Sequence, residues 1–156
     1  MGVFSFTNEY VSTVPSARLF KALILDSHNL IPKLMPRAIK SIDIIQGNGG
    51  AGTIKQINII SGSRLISIKD RVDELNEETF TYKCSMMDRK EKFEPIVHVV
   101  KLEPTPEGGS KNMIMTTYNT KGDAEFKEQD KASNKSVLEM YKLTEAYLLQ
   151  NPDAYA

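Results

Sequence analysis

The chain has 156 residues, with 20 Lys and Arg balanced by 20 Asp and Glu, so its formal net charge is zero. Hydrophobic residues make up 40% and charged residues 26%, an ordinary globular composition that excludes disordered and collagen-like classes. A neutral balance argues against a dedicated nucleic-acid or anionic-membrane binder, because phosphate contacts draw on an excess of cations.

This length predicts one domain over residues 1–156. Cys84 is the sole cysteine and the histidines, His28 and His98, lie far apart in sequence. Neither an intrachain disulfide nor a metal site is expected, and no motif asks for a cofactor. The opening MGVFSF has no basic segment leading into an apolar core, so no secretory signal is expected. Phe6 stands where a myristoylation pattern needs Ser or Thr. Asn134-Lys135-Ser136 spells a glycosylation acceptor that a cytoplasmic chain would not use. No apolar run approaches membrane-spanning length. The expectation is a cytoplasmic protein without membrane insertion, monomeric or at most dimeric.

In chain order, Val3 to Val11 alternates and reads as a strand. Pro15 opens a helical segment whose Leu19, Phe20, Leu23 and Ile24 fall on one face, ending near Leu25. Asp26 and Ser27 suit the start of a second short helix, which reaches Leu34 despite Pro32 and ends before Pro36. From Ile39 the pattern changes to strands: 39–45, 53–59, 64–72, 79–87, 96–102 and 111–118. Turns are expected at Ser61-Gly62-Ser63, Glu74 to Glu78 and Pro104 to Gly109. Evenly spaced short strands predict an antiparallel meander. Between Glu125 and Gln150 there is no Pro or Gly, and Val137, Met140, Tyr141, Thr144, Tyr147 and Leu148 form an apolar stripe. That long helix needs an apolar surface to cover, and the curved sheet offers the only one large enough. The fold class is α+β.

The loop Gly47-Asn48-Gly49-Gly50-Ala51-Gly52-Thr53 resembles a phosphate loop only superficially. A nucleotide-binding loop places Lys after its last Gly and opens a helix, whereas Thr53 follows Gly52 here and leads into a strand. A tight strand connection is the favoured reading, with a backbone anion cradle as the weaker one. His98 shares a face with Ile96, Val100 and Leu102, as a hydrogen-bonded strand histidine or a polar anchor in an apolar pocket. Cys84 reads as a small packing residue. No Ser/His/Asp or Cys/His set has motif support. Several strands carry apolar side chains on both faces, and seven methionines suit an interior that is not filled tightly.

The order of these features resembles the plant pathogenesis-related class 10 proteins, the family of the major birch-pollen allergen within the START-like superfamily. The resemblance rests on Gly2-Val3-Phe4, Ala17 to Ala22, Leu25-Asp26, Asn29 to Lys33, Gly47 to Lys55 and Lys69 to Glu74. Tyr118, Thr120-Lys121-Gly122-Asp123, Glu128-Gln129, Lys131-Ala132-Ser133 and Pro152-Asp153-Ala154-Tyr155 extend it to the end of the chain. It implies a seven-stranded curved antiparallel sheet wrapped around a long C-terminal helix, two short helices and an internal hydrophobic cavity. Its implied partners are small hydrophobic or amphipathic plant metabolites or hormones such as flavonoids, cytokinins, sterols and fatty acids, in defence and stress. Carried over by position, the implied wall is Phe20, Leu23, Ile39, Ile57, Ile59, Leu65, Ser67, Asp70, Tyr82, Cys84, Met86, Ile96, His98, Val100, Ile114, Thr116, Tyr118, Val137 and Met140. Ala51 replaces the usual proline of the family loop, and Leu65, Ser67 and Cys84 replace frequent aromatic residues, which implies a roomier pocket. The segment from Met87 to Glu94 is shorter and more charged than the family pattern, which implies a reshaped mouth.

Two alternatives accompany the carrier reading. A ribonuclease would use the matching positions Glu94, Glu145 and Tyr147, but the chain lacks a basic groove and a histidine pair. A metabolite-condensing enzyme, as in the norcoclaurine synthase branch, needs a lysine and an acid inside the cavity, and the implied wall contains no lysine.

Overall fold

The structure is a computed structural model that describes residues 2–87, 94–123 and 132–156. Strand β1 (Val3–Ser12) leads into helix α1 (Ser16–Phe20), which continues as a π-helical turn over Lys21–Leu25. Helix α2 (Ser27–Leu34) follows, then β2 (Ile39–Gln46), β3 (Ile54–Ser61), β4 (Arg64–Asn76), β5 (Thr81–Met86), β6 (Ile96–Pro104) and β7 (Ser110–Asn119). Helix α3 (Ala132–Gln150) closes the chain. Pro32 has no N–H to reach back along α2, and that helix stops two residues later at Leu34.

The strands form one curved antiparallel sheet in the order β1-β7-β6-β5-β4-β3-β2. Consecutive strands pair from β2 to β7, and β1 closes the order by pairing with β7, Val3 opposite Asn119 through Ser12 opposite Ser110. Irregularities in β2 and a bulge between Val72 and Glu74 in β4 interrupt the ladder. Such insertions bend a strand and increase its twist.

The β4 bulge corrects one expectation. Glu74 to Glu78 reads in sequence as a turn, yet β4 runs on to Asn76. The extra residue shifts the alternation, so Val72 faces Cys84 while Leu75 faces Tyr82. Leu75 therefore points to the core side despite its charged neighbours, and packs against the core. The chain reverses afterwards, through Phe80 at φ 53°.

The core contains Leu19, Phe20, Leu30, Ile31, Val72, Leu102, Tyr141 and Leu148, all buried. Along α3, Tyr141, Thr144 and Leu148 are buried while Val137, Met140 and Tyr147 are half-buried, as the apolar stripe requires. The Tyr10 ring lies 6.0 Å from Tyr141, and its hydroxyl donates to Glu145 Oε1 at 2.9 Å. Burial and this carboxylate push the Tyr10 hydroxyl up to about 12. Arg18 clamps the far end of α3. Its Nε donates to the Ala154 carbonyl at 2.8 Å, and its Nη2 to those of Leu148 at 2.8 Å and Asn151 at 2.6 Å. These carbonyls have no helical partner of their own. Among the described residues no helix is long and apolar enough to cross a membrane.

Candidate functional site

Strand register decides which side chains face the helices. Paired residues share a face, and successive residues alternate. Lys55 pairs with Asp70, Ile57 with Ile68, and Ile59 with Ile66. Asp70 pairs with Met86, Met86 with Ile96, Cys84 with His98, and Tyr82 with Val100. His98 pairs with Thr116 and Val100 with Ile114. These residues share the inner face with Tyr118, and Ile39 joins them through Ile59. Phe20, Leu23, Val137 and Met140 approach from the helices and belong to or pack on the core.

Leu65 and Ser67 do not belong there. Leu65 pairs with Ile60 and Ser67 with Asn58, so both stand on the outer face. Leu65 is 54% exposed, and the Ser67 hydroxyl donates to Asn58 Oδ1 at 2.7 Å in a polar cluster with Ser41 and Asp43. The expected wall mixed both parities of β4, which a regular strand does not permit. Ile66 and Ile68 are the inward residues. Lys55 shares the parity of Ile57 and Ile59 and faces inward as well, so the wall does contain a lysine, contrary to the expectation from sequence.

The inner face divides into two regions. Phe20, Leu23, Val72, Tyr82, Val100, Leu102 and Ile114 are buried. Ile57, Ile59, Ile66, Ile68, Met86, Ile96, Val137 and Met140 are only half-buried although they face inward.

Polar groups gather between the two regions. Lys55 is 6% exposed, and its Nζ donates to Ser27 Oγ at 3.4 Å and lies 5.8 Å from the centre of the Tyr82 ring. Burial lowers its pKa, and nearby Asp70 partly opposes that. Asp70 is likewise 6% exposed, with Oδ1 lacking any hydrogen-bond partner. Burial pushes its carboxyl up to about 6, against the opposing pull of the Cys84 thiol and Lys55. The Cys84 thiol is pushed well up by burial and by Asp70. His98 Nδ1 lies 3.0 Å from Thr116 Oγ1, and burial lowers the pKa of its ring.

A cleft of about 530 Å³ reaches Lys55 from outside, lined by Ile24, Leu25, His28, Ile44, Leu75, Glu77, Lys55 and the loop residues Asn48, Gly49 and Gly50. The glycine loop forms its rim. Its amides are largely used internally: Gly49 N–H donates to Thr53 Oγ1 at 2.8 Å, Gly50 to Asn48 Oδ1 at 3.1 Å and Gly52 to the Val72 carbonyl at 2.8 Å. That leaves little of the anion cradle, and the strand-connector reading holds.

The ribonuclease positions do not converge. Glu145 accepts from Tyr10, Tyr147 Oη lies 3.3 Å from Lys33 Nζ, and Glu94 lines a separate cleft with Gly2, Val3, Asn119 and Thr120. Gly2 and Tyr10 lie near opposite ends of β1, roughly 27 Å apart at strand rise. Met87 is exposed, and residues 88–93 of the expected mouth lie outside the described residues. No group of His, Cys, Asp and Glu among the described residues is arranged to hold a metal.

Residues 1–151 match the model of the pathogenesis-related protein Bet v 1 family. The chain belongs to this family. It is 42% identical to the major allergen Pru ar 1 of Prunus armeniaca over 99% of both chains. It is 45% identical to the major pollen allergen Bet v 1-M/N of Betula pendula, again over 99% of both. The crystal structure of Ara h 8.0201 superposes with a TM-score of 0.89 at 36% identity, covering 96% of this chain and 100% of that one. The resemblance read from Gly47 to Lys55, Thr120 to Asp123 and Pro152 to Tyr155 is thus shown, and with it the fold.

Proposed function

We propose that this chain binds small apolar or amphipathic metabolites, such as flavonoids, cytokinins, sterols or fatty acids, on the inner face of its sheet. In this reading it acts as a carrier or sensor in defence and stress rather than as a ribonuclease. The observation that carries it is the row Ile57, Ile59, Ile66, Ile68, Met86 and Ile96, which faces inward but stays half-buried. Apolar surface left wet on a concave face is what a guest would cover, at about 25 cal/mol per Å² removed from water. The inward polar groups Asp70, Tyr82, His98, Thr116 and Tyr118 would then set orientation, as few polar groups do in mostly apolar pockets. One domain over residues 1–156 serves this purpose.

The test is displacement of a fluorescent apolar probe by a panel of these metabolites, beside an RNA-cleavage assay on the same pure protein. Displacement without cleavage is the expected result. Failure of every probe and metabolite to bind refutes the proposal. Cleavage lost on Glu94→Gln or Glu145→Gln would replace it with the nuclease.

A further inference from the structure

Lys55 differs from the other described lysines. Lys21, Lys33, Lys40, Lys69, Lys83, Lys101, Lys121 and Lys142 are exposed and Lys111 is half-buried, whereas Lys55 is buried on the inner face. Burying an ammonium is costly unless it is well paired. Here its one hydrogen bond among the described residues is long, 3.4 Å to Ser27 Oγ. Across the ladder at the paired position sits Asp70, whose buried Oδ1 is unpartnered. Two buried groups on neighbouring strands thus retain unused hydrogen-bonding capacity, and directly paired side chains lie within reach of one small molecule. Lys55 also lines the cleft of about 530 Å³, between the apolar side chains Ile24, Leu25, Ile44 and Leu75.

We propose that the Lys55 amine captures apolar aldehydes entering this cleft as an imine, with Asp70 moving the protons. This inference rests on the interior accepting apolar guests. Nζ attacks the carbonyl carbon, the carbon–oxygen π pair moves to oxygen, and the amine proton follows it to give a carbinolamine. Asp70 in its acid form protonates the hydroxyl, which leaves as water while the nitrogen lone pair forms the carbon–nitrogen double bond. The resulting iminium returns a proton to the Asp70 carboxylate. One aldehyde and one amine give one imine and one water, with no oxidant or reductant.

The surroundings suit this chemistry. Attack needs the neutral amine, and burial moves Lys55 toward it. A carboxyl poised at about 6 can both give and take a proton near neutrality. Ile24, Leu25, Ile44 and Leu75 favour an aryl or alkyl aldehyde, while His28, Asn48 and Glu77 line the rest of the cleft.

The test uses the full chain, 3-phenylpropanal and sodium cyanoborohydride, which reduces the imine to a stable secondary amine, read by intact mass and peptide mapping. Lys69, exposed and adjacent in sequence to Asp70, is the internal control. Labelling of Lys55 is expected to outpace that of Lys69 by about tenfold, because burial favours the neutral amine that attacks. Lys55→Arg, which keeps the cation, should abolish the selective adduct, and Asp70→Asn should slow it. Binding of 3-phenylpropanol, which has the same shape but no carbonyl, separates the two readings. Alcohol binding with labelling spread evenly over exposed lysines overturns the imine and leaves the carrier standing. No binding of the alcohol and no selective labelling overturns both.

Discussion

Gly47 and Gly50 share one turn but tolerate a side chain differently. Gly47 has φ +96°, and a Cβ there would sit 2.6 Å from Thr53 Oγ1 and 2.8 Å from Thr53 Cα. At Gly50 the nearest atom to such a Cβ is Asn48 Oδ1 at 3.4 Å, and no positive φ is required. Gly47→Ala is expected to destabilise by about 1–3 kcal/mol, and Gly50→Ala to change stability by less than about 1 kcal/mol, both read by urea denaturation. Asp70 carries a pH signature. Burial pushes its carboxyl up to about 6 from the 3.8 of a free aspartate side chain, so the folded state holds the proton more tightly. The stability it contributes is present below the unfolded value and is lost as pH rises toward the folded one. That loss amounts to about 3 kcal/mol over the interval. Asp70→Asn should flatten the fall in stability between pH 4 and 6 and raise the melting temperature at neutral pH. His98, held by Thr116, is expected to set guest orientation, so His98→Ala should alter the ranking of displaced metabolites with little change in melting temperature. A large loss of stability would mark it as a packing residue instead. At this scale the sequence was least legible. Ile54, Ile57, Ile59 and Ile60 place apolar groups on both parities of β3, so periodicity alone does not show which face Lys55 takes. Only the pairing with Asp70 fixes its side.

At the scale of elements, the strands and helices were legible because each obeys one period. β1 alternates, and the α3 stripe returns every three or four residues. The bulge in β4 was not legible, because the extra residue appears in sequence as a charged stretch around Leu75 and its effect depends on β5. The same dependence explains the misplacement of Leu65 and Ser67. Arg18 shows how one residue joins elements distant in sequence, since it caps α3 and holds the segment to Ala154 from α1. Arg18→Met keeps much of the aliphatic stem but removes these donors. Stability is expected to fall by about 2–3 kcal/mol, in the range of hydrogen bonds to charged groups, with amide exchange rising first in the last turn of α3. Unchanged exchange there would show that apolar packing of Leu148 alone anchors the helix.

At the scale of the whole molecule, the resemblance identified the family because its motifs span the chain from Gly2 to Tyr155. The buried end of the core and the half-buried row of isoleucines and methionine then define what the fold offers a partner. A helix is narrow beside a bent seven-stranded sheet, and α3 buries Tyr141, Thr144 and Leu148 while its Val137 and Met140 stay partly open. The central claim is that the open region takes up a guest. Ile66 and Leu65 are neighbours in sequence on opposite faces of β4, so they form a matched pair for testing it. The chain has no native Trp, which makes an introduced indole a clean reporter. The decisive measurement is the dissociation constant of a fluorescent apolar probe for Ile66→Trp, Leu65→Trp and the unmodified chain. Affinity is expected to drop about tenfold or more for Ile66→Trp, as a lost apolar contact of about 1.4 kcal/mol implies, and to hold for Leu65→Trp. Equal effects at both positions, or no probe binding by the unmodified chain, would contradict it.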